Sequence, residues 1–455
     1  MKSFYDKFLG IIKNNKILTA ILVCSFILSL IYSFHFRIEP VVDARAYDTI
    51  ATNIINGNGY RENLDRDLAH DYAIARVGPL YQYFLAGIYK IFGHHYEPVW
   101  VIQALLHGLS VWLIYLTSLL IFADADYRKK IALWAAAIIG FYPDLIEISA
   151  MLLTETLYLF LVCLMLYVFF RFYRQARLGL ASVLGIVSGL TVLARPPVLL
   201  FIPVIIFYFF RKKNILPAVL FVIVLVMVFA PWTVRNYQVY GSFMPFGAAG
   251  NFNFWIGNYH GGNGEQEPTQ EQRELTLTHG VKEINGESMR QFKNFLRDYP
   301  AEFVKLTVLR INKYFSISRP MGFWFYQTGL GQMSFVLSSA LASCFLFILG
   351  LGGIINSIIL KKETQRQALA YLAIFGLTAS LLIFVTVVET RYRFQIYPAL
   401  AIFAGYFLVY LLANRRWWAD KIFWSAIGLV VSNGLLDLFL SSGRFLEKIN
   451  LFFKS

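Results

Sequence analysis

The sequence predicts an all-α polytopic membrane protein, with about eleven transmembrane helices and amphipathic interfacial helices in two outer loops. Three observations predict it. Hydrophobic residues make up 58% of the 455-residue chain and charged residues only 15%, against about 25% in an ordinary soluble domain. The apolar residues are gathered into long blocks, several close to the roughly 20 residues that one bilayer crossing needs. The basic residues fall in short clusters between those blocks, as positive-inside sorting requires. A mean hydropathy of +0.56 agrees.

The first block, 17–36, follows Lys2, Lys7, Lys13 and Lys16. It is long and no A-x-A cleavage site follows, so it reads as a retained helix rather than a signal peptide. Ten more blocks follow at 98–122, 131–149, 152–170, 179–194, 197–210, 214–232, 329–359, 367–388, 396–413 and 422–440. The pair 179–194 and 197–210 is short, about 21–24 Å each at 1.5 Å per residue. It is counted as crossing because basic clusters flank the pair on one side.

Those clusters set the orientation. With the N-terminus in the cytoplasm, the inner face collects 19 basic and 5 acidic residues, and the rest of the chain holds 22 of each. The whole net charge of +14 then lies on one face. That distribution speaks for a membrane and against a nucleic-acid partner. Residues 1–440 read as one unit with a short outer tail, 441–455. Cys24, Cys163 and Cys344 all lie in apolar blocks and form neither a metal spacing nor a disulfide framework.

Two long loops, 37–97 and 233–328, lie outside in this topology. Tyr47, Ile50, Ala51, Ile54 and Ile55 form an interfacial helical stripe, and Leu80–Phe92 is aromatic-rich. Gly247–Gly264 reads as a flexible loop, and 287–316 as two helical pieces broken at Pro300. Asp43 opens the interfacial helix, with Tyr47 one turn on and on the same face. It can cap the helix or take a proton from an acceptor hydroxyl, and capping leaves an oxygen for the second role.

Arg195, Arg235, Arg391 and Arg393 stand at the outer ends of different helices, where positive-inside sorting disfavours them. Any one could snorkel to headgroups, but four together favour a shared lipid-phosphate site. Asp144, Glu147 and Glu155 occupy one outer turn. Glu155 lies inside an apolar run and needs a partner there, either a structural ion pair or a substrate or metal contact. Glu389 has no assigned role. His94, His95 and His260 form no metal pattern such as H-E-x-x-H.

A set of ordered strings then carries a resemblance: Asp43-Ala44-Arg45-Ala46-Tyr47, Gly57-Asn58-Gly59, Arg76-Val77-Gly78-Pro79-Leu80-Tyr81, Leu153-Thr154-Glu155, Leu193-Ala194-Arg195-Pro196, Pro231-Trp232-Thr233-Val234-Arg235-Asn236-Tyr237, Gly257-Asn258 and Arg391-Tyr392-Arg393. From about residue 38 to 413 the chain resembles the GT-C superfamily of polyprenyl-phosphate-sugar glycosyltransferases. The nearest branch is the protein-mannosyltransferase and aminoarabinose-transferase type.

The resemblance implies a catalytic Asp43, and substrate-positioning roles for Tyr47, Arg76, Glu155, Asn236 and Asn258. It also implies a donor phosphate met by Arg195, Arg235, Arg391 and Arg393. Many relatives carry a second acidic residue where Ala44 stands, and Asp48 is a partial substitute at most. The implied activity is inverting transfer of a hexosyl or pentosyl group from a polyprenyl phosphate to a glycan, lipid or protein acceptor. It would take place on the periplasmic side of a bacterial inner membrane. No cofactor is implied for certain, and a divalent cation stays open. The alternatives are an O-antigen ligase or polymerase using a lipid diphosphate, and a lipid-linked sugar flippase.

Overall fold

The protein, seen here in a computed structural model, is described for residues 15–443 apart from 72, 74, 75, 77, 248, 320–325 and 360–362. Lys2, Lys7, Lys13, Val77, Lys361, Lys362 and residues 444–455 of the tail lie outside the described residues. Among the described residues eighteen α-helices follow in chain order. They are α1 (Lys16–Phe36), α2 (Asp43–Ile55), α3 (Leu80–Phe92), α4 (Tyr96–Ile121), α5 (Arg128–Gly140), α6 (Pro143–Ser149), α7 (Thr154–Arg174), α8 (Leu178–Ala194) and α9 (Ile202–Arg211). Then come α10 (Ile215–Tyr240), α11 (Ala249–Gly257), α12 (Gln270–Thr278), α13 (Val281–Asp298), α14 (Pro300–Tyr314), α15 (Gly329–Ile358), α16 (Glu363–Val385), α17 (Tyr397–Ala413) and α18 (Lys421–Leu440). Two 3-10 segments, Pro196–Phe201 and Thr390–Ile396, lead into α9 and α17.

Every apolar block of the sequence is helical, but the count of crossings changes. Among the described residues eight helices are long and apolar enough to cross a bilayer, with Thr390–Ile396 counted into α17, or nine if α5 and α6 form one span bent by 55°. The block 131–149 breaks there: α5 ends at Gly140, Tyr142 is extended, and Pro143 takes the first turn of α6, where its missing N–H costs nothing. The short pair of blocks, now α8 and the Pro196–Arg211 segment, falls below that length.

α7 and α17 are apolar around most of their circumference and form the centre, as helices hydrophobic on all sides must. α17 packs between α5 and α15. The approach to α15 is close enough that a Cβ on Gly353 would sit 2.2 Å from the Phe403 carbonyl oxygen. α10 and α18 lie at the edge and leave Val226, Met227, Leu435 and Phe439 exposed. Leaving such surface in water costs about 25 cal/mol per Å², and lipid removes that cost.

Two readings of the loops change. The stripe of α2 does not lie open: Tyr47, Ile50 and Ala51 are buried, and α2 packs against α3. The glycine-rich stretch 247–264 contains α11, because Trp255 and Ile256 find a buried seat. The two helical pieces meet at Pro300 as expected, with α13 burying Val281, Ile284, Phe292 and Phe295 along one stripe. Among the described residues the one piece of β pairing is a parallel bridge between Glu265 and Val388. It clips the α11–α12 loop to the segment that leads to Arg391.

Candidate active site

Local sequence explains how each charged group reaches the same place. Val42 holds φ at 49°, a left-handed backbone that a β-branched residue rarely adopts. This tight turn ends the descent from α1 and starts α2, so that Asp43 takes the first helical position. Val42, not Asp43, is the cap residue. Arg195 precedes Pro196, which disfavours helical backbone, and it is extended at φ −153° and ψ 128°. α8 therefore ends there. Gly78 passes so close to the end of α8 that a Cβ would meet the Leu193 oxygen at 1.9 Å, and that approach brings Arg76 in beside Arg195.

The charges form a chain. Arg391 donates from Nη2 to Asp43 Oδ2 at 2.8 Å and from Nε to Glu389 at 2.7 Å, and lies 3.7 Å from Glu155. Arg195 pairs directly with Glu155 and donates to Thr154 Oγ1 at 3.3 Å. On the other side, Arg76 forks onto Glu62 at 2.9 and 2.7 Å and reaches Asp43 Oδ1 at 3.4 Å. The Tyr392 ring lies under both Arg195 and Arg391, 5.1 and 5.7 Å from their guanidinium carbons. Glu155, Arg195 and Arg391 are nearly closed to solvent, while a quarter of the Asp43 side chain stays exposed. Burial disfavours the Asp43 carboxylate, but Arg391, Arg76 and Arg195 outweigh it and hold its pKa below the ordinary 3.8.

Two cavities with no lining residue in common meet this chain. One, about 350 Å³, is lined by Arg76, Arg195 and a largely apolar wall that includes Leu200, Phe243, Phe254 and Ile383. The other, about 460 Å³, opens onto Asp43, Glu39, Glu389, Gln266 and Arg391. Tyr392 lines the first and hydrogen bonds to Gln266 of the second at 2.8 Å.

The remaining residues expected at the site lie apart from it. Arg235 donates to the Tyr60 carbonyl at 3.0 Å and sits among the rings of Tyr60, Trp232 and Tyr240. Arg393 is fully buried and donates to the carbonyls of Ser316 and Arg319 at 2.8 and 2.9 Å. The four-arginine group thus reduces to Arg195 and Arg391, joined by Arg76. Asn236 donates to the Met244 carbonyl at 2.7 Å. Tyr47 is buried under the cluster, edge-on to Tyr81 at 5.7 Å. Asp48 faces away from Asp43 and accepts from Tyr89, His94 and Tyr96, so it offers no second carboxylate.

Asn258 supports the site from outside. It donates to the carbonyls of Phe254 and Val385, and its Oδ1 accepts from Arg310 at 2.5 Å. Arg310 is fully buried and also donates to the carbonyls of Thr386, Gly257 and Leu306. Burial pushes its pKa down to about 10. It locks α11 to the segment bearing Glu389 and Arg391. Arg310→Met leaves these acceptors unpaired, so a loss of about 2 kcal/mol or more is expected, read as a lower melting temperature in detergent.

Sequence reasoning did not find Glu62, Asp71 or Tyr392. Asp71 is buried and accepts from the backbone N–H groups of Glu62, Asn63 and Ala73, which fixes the loop that aims Glu62 at Arg76. Among the described residues no three His, Cys, Asp or Glu side chains form a group that could hold a metal ion. The site carboxylates Asp43, Glu155 and Glu389 converge on Arg391 instead, so a divalent cation finds no ready ligand set here.

The model of the dolichyl-phosphate-mannose-protein mannosyltransferase family matches residues 76–234, about a third of the chain. That stretch holds Arg76, Glu155 and Arg195, while Asp43 and Arg391 lie outside it. No curated protein matches the chain by sequence. Among solved structures, ArnT of Cupriavidus metallidurans bound to undecaprenyl phosphate superposes with a TM-score of 0.52 at 12% identity, covering 94% of this chain and 72% of that one. The oligosaccharyltransferase AglB of Archaeoglobus fulgidus, in complex with an inhibitory peptide and a dolichol-phosphate, gives 0.50 at 16% identity over 94% and 55%. Tethered to an acceptor peptide, the same enzyme gives 0.51 at 16% over 93% and 54%. The chain thus spans about half the length of the archaeal enzyme. It is an integral membrane protein with the fold of the GT-C glycosyltransferases.

Proposed function

We propose that the protein is an inverting glycosyltransferase that moves a sugar from a polyprenyl phosphate to an acceptor hydroxyl, with Asp43 as base. The observation that carries this reading is one partly exposed carboxylate that lines one cavity and is reached by Arg76, which lines a second cavity of different character. The cavity of Arg76 and Arg195 pairs an apolar wall with two guanidinium groups, which suits a lipid phosphate. The structures of similar fold were solved with dolichol-phosphate and undecaprenyl phosphate. The charge distribution of the sequence supports an outer position for this face, periplasmic in a bacterium, with the N-terminus in the cytoplasm.

In this mechanism the acceptor enters the Asp43 cavity. Oδ2 is held by Arg391, so Oδ1, only weakly contacted by Arg76, receives the hydroxyl proton. The acceptor oxygen forms its bond to the anomeric carbon from the face opposite the phosphate. The bond from that carbon to the phosphate oxygen breaks, and polyprenyl phosphate leaves with the electron pair. Arg76 and Arg195 meet the charge it develops. Asp43 then releases its proton to water.

The test is product analysis with purified protein in nanodiscs, using a panel of polyprenyl-phosphate sugars and acceptors and following free polyprenyl phosphate. Release by wild type but not by Asp43→Asn supports the reading. Movement of lipid without a covalent product supports a flippase. The pH profile adds a second check. A lowered Asp43 pKa keeps the base ionised down through the ordinary carboxylate range, so the rate is expected to hold from neutral pH and fall only in strong acid. Arg391→Gln removes the partner that lowers it most, so its acid limb is expected to move to higher pH. An unmoved limb would count against Asp43 as the base.

A further inference from the structure

The two cavities differ in charge more than a simple donor and acceptor pair requires. In the Arg76 and Arg195 cavity no acidic side chain is among the described lining residues. In the Asp43 cavity the charged lining is Glu39, Asp43, Glu389 and Arg391, three carboxylates against one guanidinium. Arg391 is already shared: it holds Asp43 at 2.8 Å and Glu389 at 2.7 Å, and faces Glu155 at 3.7 Å. Arg195, the other deep cation, is turned toward Glu155 and is not among the residues lining the Asp43 cavity. Glu39 stands exposed at the rim. An anion entering here meets net negative charge at the mouth and finds the guanidinium at the base engaged. Beyond Gln266, whose Oε1 accepts from Tyr392, much of the rest of the lining is apolar, with Ile38, Met151 and Phe252 among it.

We propose that the Asp43 cavity selects an acceptor without negative charge, a neutral or ammonium-bearing hydroxyl compound, and rejects carboxylate- and phosphate-bearing ones. The inference rests on the transferase reading above and narrows its acceptor class. The reason is electrostatic. Like charges brought together in a partly desolvated cleft repel, and the repulsion acts on encounter as well as on the bound state. The two sides of the site then sort their ligands by sign. The phosphate of the donor is drawn to one cavity and kept from the other, so the nucleophile's place stays open for a hydroxyl.

Three soluble glycosides of one sugar test this: one neutral, one with an ammonium group and one with a carboxylate. Each is offered with the same donor, and free polyprenyl phosphate is followed. The carboxylate form is expected to show kcat/KM at least about tenfold below the neutral one at low salt, with the gap shrinking as salt screens it. Glu39→Gln is expected to narrow the gap by raising kcat/KM for the carboxylate form. Equal or better use of the carboxylate form by wild type overturns the proposal. If no glycoside releases polyprenyl phosphate, the transferase reading fails for these acceptors, and charge selection is read from binding of the same three probes. Weakest binding of the carboxylate form sustains the selection, and tightest binding overturns it.

Discussion

Asp43→Asn is expected to lower the rate of polyprenyl phosphate release by about 10²- to 10⁴-fold, the range lost when a positioned general base is removed. Asparagine keeps the size and one acceptor oxygen of aspartate, so the change removes the base and the charge facing Arg391 and Arg76 while keeping a hydrogen-bond acceptor for them. Arg391 keeps Glu389 and Glu155 as partners, and the melting temperature is expected to stay close to that of wild type. Donor binding is expected to persist, because Arg76 and Arg195 still line the other cavity. Single-turnover release and lipid binding on the same preparation separate these effects. Full transfer by Asp43→Asn at normal expression would remove Asp43 from the base role. Loss of donor binding along with transfer would instead point to Asp43 as a support for the arginines.

Much of the architecture was legible because lipid imposes a coarse rule. A helix that must bury its backbone polar groups without water is written as a long apolar block, and each such block is helical here. The rule says less where a helix breaks or stops short. Pro143 marked the break between α5 and α6, yet the block 131–149 read as continuous because its composition stays apolar across Phe141 and Tyr142. Of the candidate site, Glu155, Arg195 and Arg391 were legible because a charge beside an apolar run needs a partner, and Asp43 because it opens the interfacial helix and falls in the strings that carry the family resemblance. Which partners they find was not, since Arg391 lies 348 residues from Asp43 in sequence and no local pattern encodes that pairing. Arg235 and Arg393 obey the same rule as Arg195 but satisfy it with backbone carbonyls and aromatic rings. A buried arginine is therefore a sign of a hydrogen-bond demand, and only the fold says whether an anionic ligand or the chain itself meets it. Glu62 left no signal at all, being one polar residue in a polar loop.

The pairing of Arg195 with Glu155 separates support from chemistry. Both side chains are almost closed to solvent, so removing one partner strands the other. Arg195→Gln leaves Glu155 with Arg391 at 3.7 Å as its remaining ion-pair partner, and a loss of about 3–5 kcal/mol is expected. It should show as a clear drop in melting temperature. Glu155→Gln combined with Arg195→Gln removes both charges and is expected to recover most of that stability, because two amides can hydrogen bond where two ions did. Transfer is not expected to return with it. The Arg195 guanidinium lines the apolar cavity proposed for the donor phosphate, and a neutral amide supplies no charge there. The double variant is therefore expected to fold, bind the donor lipid more weakly and turn over slowly. Should it recover transfer as well as stability, Arg195 serves only to neutralise Glu155, and the leaving phosphate must be met by Arg76.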